Sequence, residues 1–72
     1  MKLKSLLDVI DDNEPILVID ENATIKELTL FDGFAKNCKK RSDIKYGIVK
    51  SVFYLVGGGI GIAIDKEEAG KE

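Results

Sequence analysis

With 72 residues, 44% of them hydrophobic and 33% charged, the chain has the composition of one soluble globular domain and is too short for two independent cores. It has no histidine and one cysteine, so histidine-dependent nucleophilic or general acid-base chemistry is excluded. The net charge of −2 gives no strong overall field, yet residues 1–32 carry three Lys against eight acidic side chains, whereas residues 33–50 carry Lys36, Lys39, Lys40, Arg41, Lys45 and Lys50 against Asp43 alone.

Leu3, Leu6, Leu7 and Ile10 fall at i, i+3, i+4 and i+7, which predicts a short amino-terminal helix, with Ser5 and Asp8 spaced as in a capping box. The helix must stop by about Asp12, because acidic residues oppose the dipole at a helix carboxyl end and Pro15 disfavours helical geometry just before it. Ile16-Leu17-Val18-Ile19 is β-branched and apolar on both faces, the pattern of a central strand. Asp20 to Ala23 reads as a turn. Thr24 to Phe31 reads as a second strand whose apolar positions change parity, so a bulge is expected near Lys26-Glu27. Asp32-Gly33 reads as a break, followed by a short helical segment over 33–40 capped by Asp32. Ile48 to Val56 and Ile60 to Ile64 are expected as a hairpin turned by Gly57-Gly58-Gly59, and Ile60, Ile62 and Ile64 alternate with Gly61 and Ala63 to give one bulky and one bare face. Residues 66–72 have little to bury and are expected to form a mobile charged tail after a single domain spanning 1–65.

The expected fold is therefore α+β, with a short helix on one face of a mainly antiparallel sheet of three or four strands. Its predicted core is Leu6, Leu7, Ile10, Leu17, Ile19, Leu28, Leu30, Val52, Ile60, Ile62 and Ile64. The lone cysteine and the lack of a long apolar leader favour a cytoplasmic protein. The longest uncharged run, residues 51–64, contains four glycines and is shorter than the roughly 18–20 residues a spanning helix needs, so no membrane partner is expected.

The motifs with chemical potential are each better read as structure. Gly57-Gly58-Gly59-Ile60-Gly61 resembles a phosphate-cradling loop but lacks both the following helix and the Lys-Ser/Thr pair. Asp20, Asn22 and Thr24 open like a calcium loop, but Ile25 and Phe31 replace its essential Gly and Glu. Asp8, Asp11, Asp12 and Glu14 read as a solvated helix end. Cys38 lies among cations that can lower a thiol pKa, but no base accompanies it, so a buried or incidental role is expected. No catalytic, cofactor or metal residues are assigned. Lys36, Lys39, Lys40 and Arg41 are the candidate contacts for an anion or nucleic acid, although Tyr46, Phe53 and Tyr54, which could interleave with them, are expected in core strands.

The opening Met1-Lys2-Leu3-Lys4-Ser5-Leu6-Leu7, followed by the apolar strand from Ile16 to Asp20, resembles short proteins encoded by phages and prophages of Gram-positive bacteria, which share a Met-Lys-x-Lys-x-Leu-Leu start. The resemblance implies an intracellular accessory protein and brings no catalytic or ligand motif. The expected function is a non-enzymatic protein-binding or assembly module, with a protein partner or a homodimer. The alternative is a small nucleic-acid-associated regulator using Lys36 to Arg41.

Overall fold

A computed structural model describes residues 1–23 and 28–65. In chain order these form α1 (Leu3–Leu7), β1 (Pro15–Asp20), β2 (Thr29–Phe34), α2 (Ala35–Cys38), β3 (Ile48–Tyr54) and β4 (Ile60–Asp65). The four strands make one mixed sheet in the order β2-β1-β4-β3, so the fold is α+β. The β1–β2 and β3–β4 ladders are antiparallel, as expected. The sheet centre is different: β1 and β4 run parallel, with Val18 opposite Ile62. A parallel pair needs a crossover, and here the intervening β2, α2 and β3 supply it.

Strand alternation sends Ile16 and Val18 of β1 and Ile62 and Ile64 of β4 to one face. There they form a buried cluster with Leu3 and Leu7 of α1, Ala35 and Cys38 of α2, and Ile44. Leu6, Ile10, Leu30 and Ile60 pack around it half-buried. The expectation for β1 was of the wrong parity, because Leu17 and Ile19 lie on the opposite face and the buried pair is Ile16 and Val18. Val52 is also not a core residue; 54% of it is exposed, since β3 runs out beyond the cover of the helices. Ile44, which the predicted core omits, sits in a turn and is fully buried.

Neither helix uses the cap its sequence suggested. The residue before α1 is Lys2, with no side-chain cap, so Ser5 and Asp8 do not form a capping box. The first amide donors of α1 are satisfied by the turn before β3, with Leu3 N–H bonded to Gly47 O at 2.8 Å and Lys4 N–H bonded to Lys45 O. Asp32 does not cap α2 but sits inside β2, opposite Leu17. Ala35 and Lys36 instead donate to the carbonyls of Glu14 and Asp12, at 2.9 and 3.0 Å. Backbone carbonyls of neighbouring loops thus serve the orphan helix donors and pin both short helices to the sheet.

Residues 24–27 of the expected second strand lie outside the described residues; β2 ends later than expected, at Phe34, and runs straight through Asp32-Gly33. Its register slips at Leu30, since Val18 faces Phe31 and Ile19 faces Thr29. The bulge expected at Lys26-Glu27 and the expected mobile tail over 66–72 both lie outside the described residues. The glycine triplet does turn the β3–β4 hairpin, and all three residues have positive φ, from 91° to 109°. A Cβ on Gly59 would also stand 2.7 Å from the Pro15 carbonyl oxygen, so this turn abuts the start of β1.

Ile62→Ala, at the centre of the buried cluster, is expected to cost about 2–5 kcal/mol. In a domain this small that approaches the whole stability. Val52→Ala on the exposed strand end should cost no more than about 0.5 kcal/mol. Urea denaturation of the two variants checks the contrast.

Candidate functional site

The basic segment does not form an open cationic patch. Lys39 Nζ is bonded to the Asp12 carboxylate and, at 3.0 Å, to the Ile10 carbonyl. Arg41 holds Asp43 through Nε and Nη2, at 2.9 and 2.8 Å, and its Nη1 reaches the Leu30 carbonyl at 3.4 Å. Lys36 and Lys40 are exposed. Half of the candidate anion contacts are thereby paired with carboxylates of the same chain, and the Lys39–Asp12 pair joins the basic half of the chain to the acidic half. The Lys39 hydrogen bond, reinforced by the nearby charges of Lys39 and then Lys36, holds the Asp12 carboxyl below its usual range.

Cys38 is fully buried in the main cluster. Loss of hydration pushes its thiol up to about 11, outweighing the lowering by the nearby Arg41. At neutral pH it remains a protonated, apolar core group. The acidic group at 8–14 does not converge: among the described residues no three His, Cys, Asp or Glu side chains come together to hold a metal ion. Asn22 of the first turn donates to Asp65 at the end of β4 at 3.0 Å, so that turn closes the sheet end. A shallow cleft between α1 and the basic segment is lined by Lys4, Leu7, Asp8, Lys39 and Lys45.

The three aromatics expected in the core are all exposed. Tyr46 lies in the turn before β3, with the Lys2 and Lys45 ammonium groups 5.6 and 5.3 Å from its ring centre. Tyr54 is 92% exposed at the end of β3. Phe53 lies on the sheet face away from the helices, and its ring covers Gly61, where a Cβ would collide with it. The bare face of β4 is therefore neither against backbone nor open to solvent; it is the seat of an aromatic ring.

The second face of the sheet is chemically distinctive. Register places Asp32, Leu17, Gly61 and Phe53 in one row across the four strands, and Ile19, Ala63 and Ser51 in the next. Phe34 stands beside Pro15 at the edge of the same face. Leu17 and Ile19 are half-buried, while Phe34 and Phe53 are exposed. Both described helices belong to the cluster on the other side. An apolar sheet face of this kind is normally covered by something. Comparison with protein-family models, curated proteins and solved structures finds no match to this chain.

Two predictions follow from this geometry. Gly61→Val is expected to displace Phe53 and destabilise the domain by about 1–3 kcal/mol, measurable by thermal unfolding. Because the Asp12 carboxyl is held low in the folded state, its contribution is present above the ordinary carboxylate range and fades as pH falls through the folded-state value. Asp12→Asn should therefore lower the unfolding midpoint at pH 7, and the difference from wild type should close below about pH 4.

Proposed function

We propose that the domain is a non-enzymatic protein-binding or assembly module whose working surface is the sheet face carrying Leu17, Ile19, Phe34 and Phe53. The observation that supports this reading most is the one-sided placement of the helices, which leaves an apolar face with two exposed phenylalanines. Apart from Asp32 on β2, the residues placed on this face, Leu17, Ile19, Phe34, Ser51, Phe53, Gly61 and Ala63, are uncharged, and no cation stands among them, which suits a protein surface better than a phosphate backbone. Together with the phage-like opening of the chain, it describes a cytoplasmic phage or prophage accessory protein that works by contact. No helix among the described residues is long and apolar enough to cross a membrane.

A second reading, a nucleic-acid-associated regulator, is favoured by a different observation. The Tyr46 ring has the Lys2 and Lys45 ammonium groups close to it, an aromatic side chain accompanied by cations. In that reading Lys36, Lys39, Lys40 and Arg41 would extend the contact, although Lys39 and Arg41 already hold carboxylates.

Affinity capture from host lysate with three baits separates the readings. With the wild type and with a Lys36→Glu/Lys40→Glu variant the same proteins should be retained, and Ile19→Lys should lose them. Retention that survives Ile19→Lys but disappears with the lysine variant, or nucleic acid released steeply by salt, would overturn the module reading in favour of the regulator.

A further inference from the structure

The sheet has two outer strands, and they are treated differently. β2 is blunted along its length: its register slips at Leu30, the Leu30 carbonyl is taken by Arg41, and Asp32 puts a charge in the strand. Bulges and charges are the usual protection against edge-to-edge association. The first part of β3 is also protected. Val49 N–H donates to Met1 O at 2.8 Å, Leu3 N–H donates to Gly47 O at 2.8 Å, and Lys2 bridges to Ile48 in antiparallel fashion.

Beyond Val49 no described strand pairs with the outer side of β3. A register slip at Lys50 separates the two halves, with Val49 opposite Ile64 and Ser51 opposite Ala63. Past the slip, Leu55 N–H turns inward to Gly59 O at 3.2 Å. Backbone groups alternate along a strand, so Ser51 and Phe53 also turn inward, and Val52 and Tyr54 direct their N–H and C=O groups away from β4. The residues from Ser51 to Val56 carry no charge. Of these, Val52, Tyr54 and Val56 are among the most exposed apolar side chains of the domain. From Ser51 to Tyr54 the β3 register is unbroken; the slip and the nearest charge both lie at Lys50, before this stretch.

We propose that this segment pairs with the same segment of a second copy, β3 antiparallel to β3, about a two-fold axis through Phe53. The proposal rests on the binding-module reading and adds a self-assembly contact at the edge of the same sheet. The outward-facing groups are self-complementary about that residue: Val52 meets Tyr54 of the second copy, Tyr54 meets its Val52, and each pair exchanges two hydrogen bonds. Phe53 meets Phe53 as a non-hydrogen-bonded pair, where side chains stand closest. Lys50 falls opposite Val56, so no like charges face each other. Val56 of the second copy is the last residue in the ladder, and its glycine turn bends toward its own β4 beside the contact of Met1 with Val49. The two sheets become one of eight strands, and the faces carrying Leu17, Ile19 and Phe53 become continuous. A cationic or acidic partner strand has nothing to answer on this uncharged edge, which is why a copy of the chain fits it best.

Sedimentation of the purified protein from micromolar to millimolar concentration tests the proposal directly. The mass should rise toward twice the 7.9 kDa of one chain. Tyr54→Pro removes one outward donor and no bond to β4, and should abolish the rise with the circular dichroism spectrum preserved. Two double variants test the register without proline: Val52→Lys/Tyr54→Lys sets like charges opposite in both pairs, and Val52→Glu/Tyr54→Lys sets opposite charges there. The first should dimerise at least about tenfold more weakly than the second. Phe53→Cys should crosslink to itself under oxidised glutathione, because the Cα separation of such a pair, about 4.5 Å, lies within disulfide range, whereas Leu55→Cys should not. A monomer at millimolar concentration, or a dimer indifferent to all these variants, overturns the proposal. If the protein is monomeric yet Ile19→Lys still abolishes capture of a host protein, only the dimer falls. If capture is also indifferent to Ile19→Lys, the module reading falls with it.

Discussion

The parallel pairing of β1 with β4 is the contact on which the rest of the structure depends. It brings Ile16 and Val18 beside Ile60 and Ile62 across more than forty residues of chain and creates the two-strand centre of the sheet. Each of these strands then carries one antiparallel neighbour, and each helix covers part of the surface they share. The helices have five and four residues, too few to persist by themselves, so their order is borrowed from this centre and from loop carbonyls that accept their first amide bonds. Long-range pairing of this sort is slow to assemble.

The apolar runs made β1, β3 and β4 legible in the sequence, and the glycine triplet made the hairpin legible. The parallel arrangement was not, because nothing in the residues of β4 distinguishes a neighbour that runs with it from one that runs against it. Face assignment failed at β1 for a related reason: Ile16, Leu17, Val18 and Ile19 are apolar at every position, so periodicity cannot say which pair is buried. β2 was misplaced because Asp32-Gly33 has the composition of a turn, although sheet pairing overrode that preference. Ile44 had no local signal at all, standing between Asp43 and Lys45, and owes its burial to tertiary packing alone.

Of the interaction surface, the sequence disclosed the ingredients and concealed their use. The uncharged stretch from Ser51 to Ile64 suggested a strand pair that fills the interior, which is true of β4 and untrue of the outer half of β3. The basic segment stood out by composition, but composition does not reveal that Lys39 and Arg41 have carboxylate partners folded next to them. Gly61 was readable as a bare position; that an aromatic ring from the adjoining strand lies on it required the register.

Cys38 gives the domain a built-in reporter of its own integrity. Its sulfur is sealed among aliphatic side chains and its acidity suppressed, so a thiol-directed reagent can react with it only during moments when α2 lifts from the sheet. The speed of labelling at a fixed pH is then a clock for those openings, and any ligand that steadies the sheet would slow it.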